Sequence, residues 1–234
     1  VLKERRPQTA TEFVFPSCCP SCGTETVREA GGVAWRCPNG HCPAQVVERL
    51  RHLVSRRAMD VEGLGERAVE QLVEAGLLRS APDLFRLTVT CLLTLDGFAQ
   101  TKAEKLVAAL AAARTQPLGR LLFALGIRHV GEHTAMLLEQ SFHTLSALRG
   151  AVREELLKVS GVGPEVADAV VEYFASSEGG ALVDALLILG VSPGRAERPG
   201  AALAGMTFVL TGTLSSLERD EAKRRIQALG GKVA

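Results

Sequence analysis

Gly63-Leu64-Gly65, Gly97-Phe98-Ala99, His129-Val130-Gly131 and Gly161-Val162-Gly163 recur through the middle of the chain, their first residues 34, 32 and 32 positions apart. Two positions before each start stand Val61, Leu95, Ile127 and Val159, and four before stand Met59, Leu93, Leu125 and Leu157. Six positions after come Val69, Ala103, Ala135 and Ala167; nine after come Leu72, Leu106, Leu138 and Val170. Such a period marks a repeated supersecondary unit. The spacings put apolar residues on one face of a helix before each short turn and of a helix after it. The central apolar residue is expected to plug the gap between the two helices, and the small residue six later to let the second helix pack closely. A solenoid of helical pairs for protein binding has the same period; the small–apolar–small centre favours the helix-hairpin-helix motif instead.

A Gly-x-Gly turn at a helix start exposes consecutive backbone amides, and the helix N-terminus carries partial positive charge, so a phosphate oxygen can sit there. Contacts of this kind carry little base information, which points to sequence-independent duplex binding. The candidate DNA-binding residues are Gly63, Gly65, Gly97, Gly131, Gly161 and Gly163, with Lys102 and Arg128 adding charge and Arg67 nearby. For each of these cations a solvated surface role is the competing reading. His129 in the third copy and Ala99 in the second depart from the pattern, which weakens the expectation of positive φ and close phosphate approach there. Copies one and four are the expected contacts. Helix-hairpin-helix units often fold in pairs, so copies one with two and three with four are expected to form two packed lobes.

Composition bounds the rest. The chain has 234 residues, 47% of them hydrophobic, enough for one large or two modest domains. No apolar stretch reaches the roughly 18 residues of a membrane span; Ala181–Val191 is interrupted by Asp184 and Gly190. Val1-Leu2-Lys3-Glu4-Arg5-Arg6-Pro7 has no apolar run behind its charges, so a secretory signal is not expected and a cytoplasmic, membrane-free location is. The formal net charge is +1, and four thiolates around a divalent cation would remove two more positive units. DNA binding must therefore rest on local geometry. Aromatic content is 4%, low for a single-strand binder that stacks bases.

Five of the six cysteines lie in Cys18–Cys42, and Cys91 stands alone. Cys19-x2-Cys22 and Cys37-x4-Cys42 have the spacing of two zinc knuckles, with Gly23 and Gly40 expected to supply permissive backbone. Thr24–Val27 and Val33–Arg36 around Gly31-Gly32 read as a small hairpin. Cys18 is excluded because Cys19-Pro20-x-Cys22-Gly23 makes the compact knuckle, and His41 is a poorer fit than Cys42. Reduced cysteines without metal remain the bland alternative. Four thiolates, Cys19, Cys22, Cys37 and Cys42, close the tetrahedron around one Zn2+ and leave no position for water, so the ion is structural.

The strings Cys19-Pro20-x-Cys22-Gly23, Arg36-Cys37-Pro38-Asn39-x-x-Cys42-Pro43-Ala44-Gln45 and Ser55-Arg56-x-Ala58-Met59-Asp60-Val61-x-Gly63-Leu64-Gly65 resemble the bacterial NAD-dependent DNA ligases. So do Ala124-Leu125-Gly126-Ile127-Arg128-His129-Val130-Gly131-Glu132 and Gly161-Val162-Gly163-Pro164-Glu165-Val166-Ala167. The resemblance implies the C-terminal half of such an enzyme and a mainly α fold. Its expected order is the end of an OB-fold (1–16), a small four-cysteine zinc finger (17–45), a four-repeat helix-hairpin-helix domain (46–189), a linker (190–200) and a partial α/β BRCT domain (201–234). In the last of these, Leu203–Gly212 reads as a buried strand and its turn, and Arg219–Leu229 as an amphipathic helix stopped by Gly230-Gly231.

The family seals nicks through a lysine adenylated by NAD+, in a Lys-x-Asp-Gly motif. Lys3, Lys102, Lys105, Lys158, Lys223 and Lys232 all lack the following Asp-Gly. No catalytic residue is therefore expected here. The resemblance implies a parent ligase whose NAD+ and Mg2+ bind outside this segment. Its expected partners are nicked duplex DNA and the nucleotidyltransferase and OB domains of the same protein. A stand-alone non-catalytic DNA-binding adaptor is the second reading. The DNA-binding part of a repair nuclease ranks third, for want of a carboxylate cluster with metal-site spacing.

Overall fold

The computed structural model describes residues 13–28, 33–194, 202–203, 205–212 and 217–233. The expected OB-fold remnant at 1–12, the Gly31-Gly32 turn and the linker residues 195–200 lie outside them. A two-strand antiparallel ribbon opens the molecule, β1 (Val27–Arg28) against β2 (Trp35–Arg36). Among the described residues eleven helices follow: α1 (Pro43–Val54), α2 (Glu66–Glu74), α3 (Ala81–Leu84), α4 (Val89–Leu92), α5 (Gln100–Ala113), α6 (Leu118–Ala124), α7 (Glu132–Phe142), α8 (Leu145–Arg149), α9 (Arg153–Leu156), α10 (Pro164–Ala175) and α11 (Ser177–Ile188). A βαβ segment comes last, β3 (Thr207–Phe208), α12 (Arg219–Ala228) and β4 (Lys232–Val233), with the strands parallel. Among the described residues no helix is long and apolar enough to cross a membrane.

The four repeats pack as their periodicity requires. Val69, Ala103, Ala135 and Ala167 are completely buried, and Leu72, Leu106, Leu138 and Val170 nearly so. These residues form the inner face of α2, α5, α7 and α10. The second helices thus carry the closest packing.

The first helices are shorter than the spacing suggests. α4, α6 and α9 end at Leu92, Ala124 and Leu156, five residues before Gly97, His129 and Gly161. Leu93, Leu125 and Leu157 are therefore C-cap residues, where the chain leaves the helix to turn back, and Leu93 is 43% exposed. Copy one departs further. α1 ends at Val54, nine residues before Gly63, and Ser55–Asp60 forms an irregular turn in which Asp60 has φ +53°.

The two pairs of repeats share one hydrophobic core that runs from Val46 to Val191. At the seam α1 packs on α6, where His52 Nε2 lies 2.7 Å from the Phe123 carbonyl oxygen and the two rings meet edge-on. A second tie is the departing chain. Val191 is buried, Ser192 N–H donates to the Arg114 carbonyl at 2.9 Å, and Gly194 N–H donates to that of Gln116 at 3.1 Å. Leu118 N–H in turn donates to the Gly194 carbonyl at 3.3 Å. Residues 192–194, expected as an exposed linker, are instead a strap laid along the connection between the two pairs.

In the C-terminal segment α12 matches the expected helix, and Gly230 at φ +88° ends it. The expected long buried strand is reduced to two residues, with Met206 and Val209 53% and 67% exposed. Among the described residues β4 alone pairs with β3, so little holds the flanking residues in a sheet.

Candidate metal centre and nucleic-acid interface

The four expected ligands converge. The sulfurs of Cys19, Cys22, Cys37 and Cys42 all lie within 4.8 Å of one another. Cys19 Sγ is 3.8 Å from Cys42 Sγ, and Cys22 Sγ is 3.5 Å from Cys37 Sγ. A tetrahedron with Zn–S bonds of ~2.3 Å has edges of about 3.8 Å, so the cage has the size zinc requires. The cysteines fit one structural zinc ion, with no open position for water.

The knuckles are built by local bonds. Cys19 N–H donates to the Thr24 carbonyl and Gly23 N–H to that of Cys19, both at 2.8 Å, closing a turn for which Gly23 takes φ +72°. Gly40, expected to serve similarly, is not in the left-handed region. Its carbonyl accepts from the Arg49 guanidinium, and a Cβ there would lie 3.7 Å from the Glu178 carboxylate. Closeness to the helical domain explains that glycine better than turn geometry does. Cys18 is exposed, in a bridge with Glu25, and His41 is outside the cage.

The thiols are electrostatically unequal. Hydrogen bonds from the Thr24 hydroxyl and backbone lower Cys22 to about 6. Desolvation among the crowded sulfurs pushes Cys37 up to about 12. Cys42 is lowered, chiefly by the Gln45 backbone amide, because it is also the N-cap of α1. Sulfurs this close do not all ionise unless a cation sits among them, which is the charge pattern a divalent ion completes. Sequence spacing missed the supporting groups. Gln45 Nε2 donates to the Cys37 carbonyl at 2.7 Å, and Asn39 Nδ2 reaches Thr24 Oγ1 at 3.4 Å, tying one knuckle to the other.

The four hairpins share one conformation. Their first residues all have positive φ: Gly63 +86°, Gly97 +77°, His129 +63° and Gly161 +91°. His129 therefore keeps the left-handed backbone without glycine. The middle residues Leu64, Phe98, Val130 and Val162 are buried plugs, each donating its amide to Val61, Leu95, Ile127 or Val159. The third residues Gly65, Ala99, Gly131 and Gly163 are extended N-caps with φ between −75° and −88°. Ala99 is therefore no departure, because no copy needs positive φ at that position.

Every first and third hairpin residue is exposed, and none of the four N-caps supplies a side-chain cap to its helix. A Cβ added at Gly63, Gly65, Gly97, Gly131 or Gly163 would meet nothing within 4 Å, whereas one at Gly161 would meet Leu137. The corners face outward. Their first turns differ in charge: Glu66, Glu132 and Glu165 occupy those of α2, α7 and α10, while that of α5 has no acid. Lys102 sits on hairpin two, its Nζ 3.0 Å from the Gly97 carbonyl oxygen and 4.1 Å from the centre of the Phe98 ring. Arg67 and Arg128 are exposed on hairpins one and three.

Geometry thus defines a class: a protein of paired helix-hairpin-helix repeats headed by a four-cysteine zinc finger. Comparison with known proteins narrows it. Residues 19–44 match the NAD-dependent DNA ligase C4 zinc finger domain. Residues 55–112 match a SAM-like helix-hairpin-helix tandem, 120–183 a helix-hairpin-helix motif and 200–234 the BRCT domain. A protein named DNA ligase from Syntrophotalea carbinolica is 46% identical over all of this chain and 35% of its own length. One from Trichlorobacter lovleyi is 44% identical over all of the chain and 34% of its own. One from Chloroflexus aggregans is 46% identical over 98% of the chain and 34% of its own. The chain thus carries the C4 zinc finger domain of NAD-dependent DNA ligases followed by helix-hairpin-helix and BRCT matches, and it spans about a third of the length of the DNA ligases it is similar to.

Proposed function

We propose that this chain is the DNA-gripping portion of an NAD-dependent ligase that seals nicks in duplex DNA during replication and repair. The observation that carries the proposal is the set of four outward-facing hairpins of one conformation, each opening a helix whose N-cap residue offers no side-chain oxygen. First-turn amides of that kind bind phosphate oxygens. Gly63, Gly65, Gly97, Gly131, Gly161 and Gly163 present the backbone, and Lys102 and Arg128 add charge. Binding is to the sugar-phosphate backbone and independent of sequence.

The proposed units are 1–16 as the end of an OB-fold, 17–45 as the zinc finger, 46–189 as the helix-hairpin-helix domain, 190–200 as its exit and 201–234 as part of a BRCT domain. Adenylation by NAD+ and Mg2+-dependent sealing belong to nucleotidyltransferase and OB domains of the same cytoplasmic protein. The segment positions the nick and contributes no reacting group. The test is titration of labelled nicked duplexes of unrelated sequence with the zinc-loaded chain, followed by anisotropy. Similar affinity for all of them, falling steeply with salt, is expected. Failure to bind any duplex refutes the proposal.

A further inference from the structure

Copy one reaches its hairpin by a different route from the other three, and the difference leaves backbone carbonyls for a side chain to meet. Where α4, α6 and α9 lead directly into their turns, Ser55–Asp60 is irregular, and its Arg56 and Ala58 carbonyls point to the second pair of repeats. A side chain of that pair meets them. Arg120 of α6 donates from Nε to the Ala58 carbonyl at 2.6 Å and from Nη2 to that of Arg56, with Asp60 Oδ2 3.7 Å away. Its side chain is 23% exposed, so the fork is held at the seam and not in open water. Arg120 also precedes hairpin three on the same stretch of chain, as α6 runs into Ile127-Arg128-His129.

We infer that Arg120 is a positioning residue for DNA binding: from the third repeat it clamps the Ser55–Asp60 turn and so holds Gly63-Leu64-Gly65 in register with His129-Val130-Gly131. This inference rests on the reading that the hairpins grip duplex. The planar guanidinium suits the task because one group satisfies two carbonyls in a fixed geometry. The left-handed Asp60 is the joint that the clamp secures. Two hairpins locked to one seam meet one duplex without first paying to become ordered.

The test is a double-mutant cycle on the zinc-loaded 234-residue chain, read as affinity for a nicked duplex. Arg120→Gln removes the fork, Gly65→Val silences hairpin one, and Gly163→Val silences hairpin four. Arg120→Gln is expected to weaken binding about tenfold alone and in the Gly163→Val background, and by less than about twofold in the Gly65→Val background. Arg120→Lys, able to keep one of the two bonds, is expected to lose about threefold. Equal losses in both backgrounds, or none, overturn the inference. Amide hydrogen exchange without DNA provides an independent reading: Arg120→Gln should accelerate exchange at 61–65 about tenfold and leave 161–163 unchanged. Unchanged exchange at 61–65 overturns it whatever the duplex does. Should Arg120→Gln prove unfolded, Arg120→Lys carries both measurements. A wild-type chain that ignores duplex refutes the proposed function, while the exchange experiment still decides the clamp.

Discussion

Replacing Gly65, Gly131 and Gly163 together by valine separates grip from fold. All three residues are extended, with φ of −75°, −84° and −88° and ψ near 175°, a backbone that β-branched residues adopt readily. A Cβ at any of them meets nothing within 4 Å. Two stability effects oppose each other. Fewer unfolded conformations contribute ~0.4–1 kcal/mol per site, and exchanging a glycine N-cap for an apolar one costs up to about 1 kcal/mol. They nearly cancel, so the melting temperature should move by about 2–4 °C or less, the size of ~1 kcal/mol in a protein of this length. The duplex responds differently. The new methyls stand where a phosphate would approach the first-turn amides. A hydrogen bond to a charged group contributes ~1.5–3 kcal/mol, so losing one per hairpin weakens binding at least about tenfold each and at least about a thousandfold together, if the sites add. The assay is anisotropy on nicked duplexes of several sequences beside a thermal melt. Retention of affinity within about threefold, or a loss that differs between sequences, refutes the reasoning.

Cys19→Ala or Cys42→Ala should lower zinc content from one ion per chain to none, as read by elemental analysis; Cys18→Ala, outside the cage, should leave it at one. Gly119→Val should destabilise the domain by about 3 kcal/mol in urea unfolding, because its Cβ would lie 2.8 Å from Glu139 Oε2 and 3.3 Å from the Ala135 carbonyl oxygen. Burial opposes ionisation of Asp83, but the Ser80 hydroxyl, the Arg79 amide and Arg86 outweigh it and hold its carboxyl below the usual range. Its contribution to stability is therefore present above the ordinary carboxylate range and lost as pH falls through the depressed value. Asp83→Asn should then lower the urea midpoint at neutral pH, and the difference should shrink as pH falls below the ordinary carboxylate range. Incubation with NAD+ should leave no adenylate on this chain by mass spectrometry, since no lysine is followed by the required Asp-Gly.

Most of the site was legible because metal ligation and helix packing leave periodic marks. Two cysteine pairs at knuckle spacing located the zinc cage, and four buried small residues six positions after each hairpin located the second helices. Less legible were features that depend on residues far apart in sequence. Arg120 is a polar residue of an apolar helix until its carbonyl partners, some sixty positions earlier, are in view. Gly40 looked like a turn glycine, and only the proximity of Glu178 gave it another cause. Ala99 fits its hairpin because φ is positive only at the first hairpin residue, a distinction that the residue pattern Gly-x-Gly does not carry. Apolar spacing does not mark where the first helices end, because it continues through their C-caps into the turn.

The strap at 192–194 decides where the rest of the chain is launched. By returning along Arg114–Leu118, it releases the polypeptide beside the connection between the two pairs of repeats instead of directly from the end of α11. Eight further steps lead from Gly194 to Ala202, a contour of about 28 Å when drawn out fully. The BRCT segment is therefore covalently bound to start within that reach of the connection between the two pairs of repeats, the side on which Arg56 pairs with Glu218 at 2.8 Å.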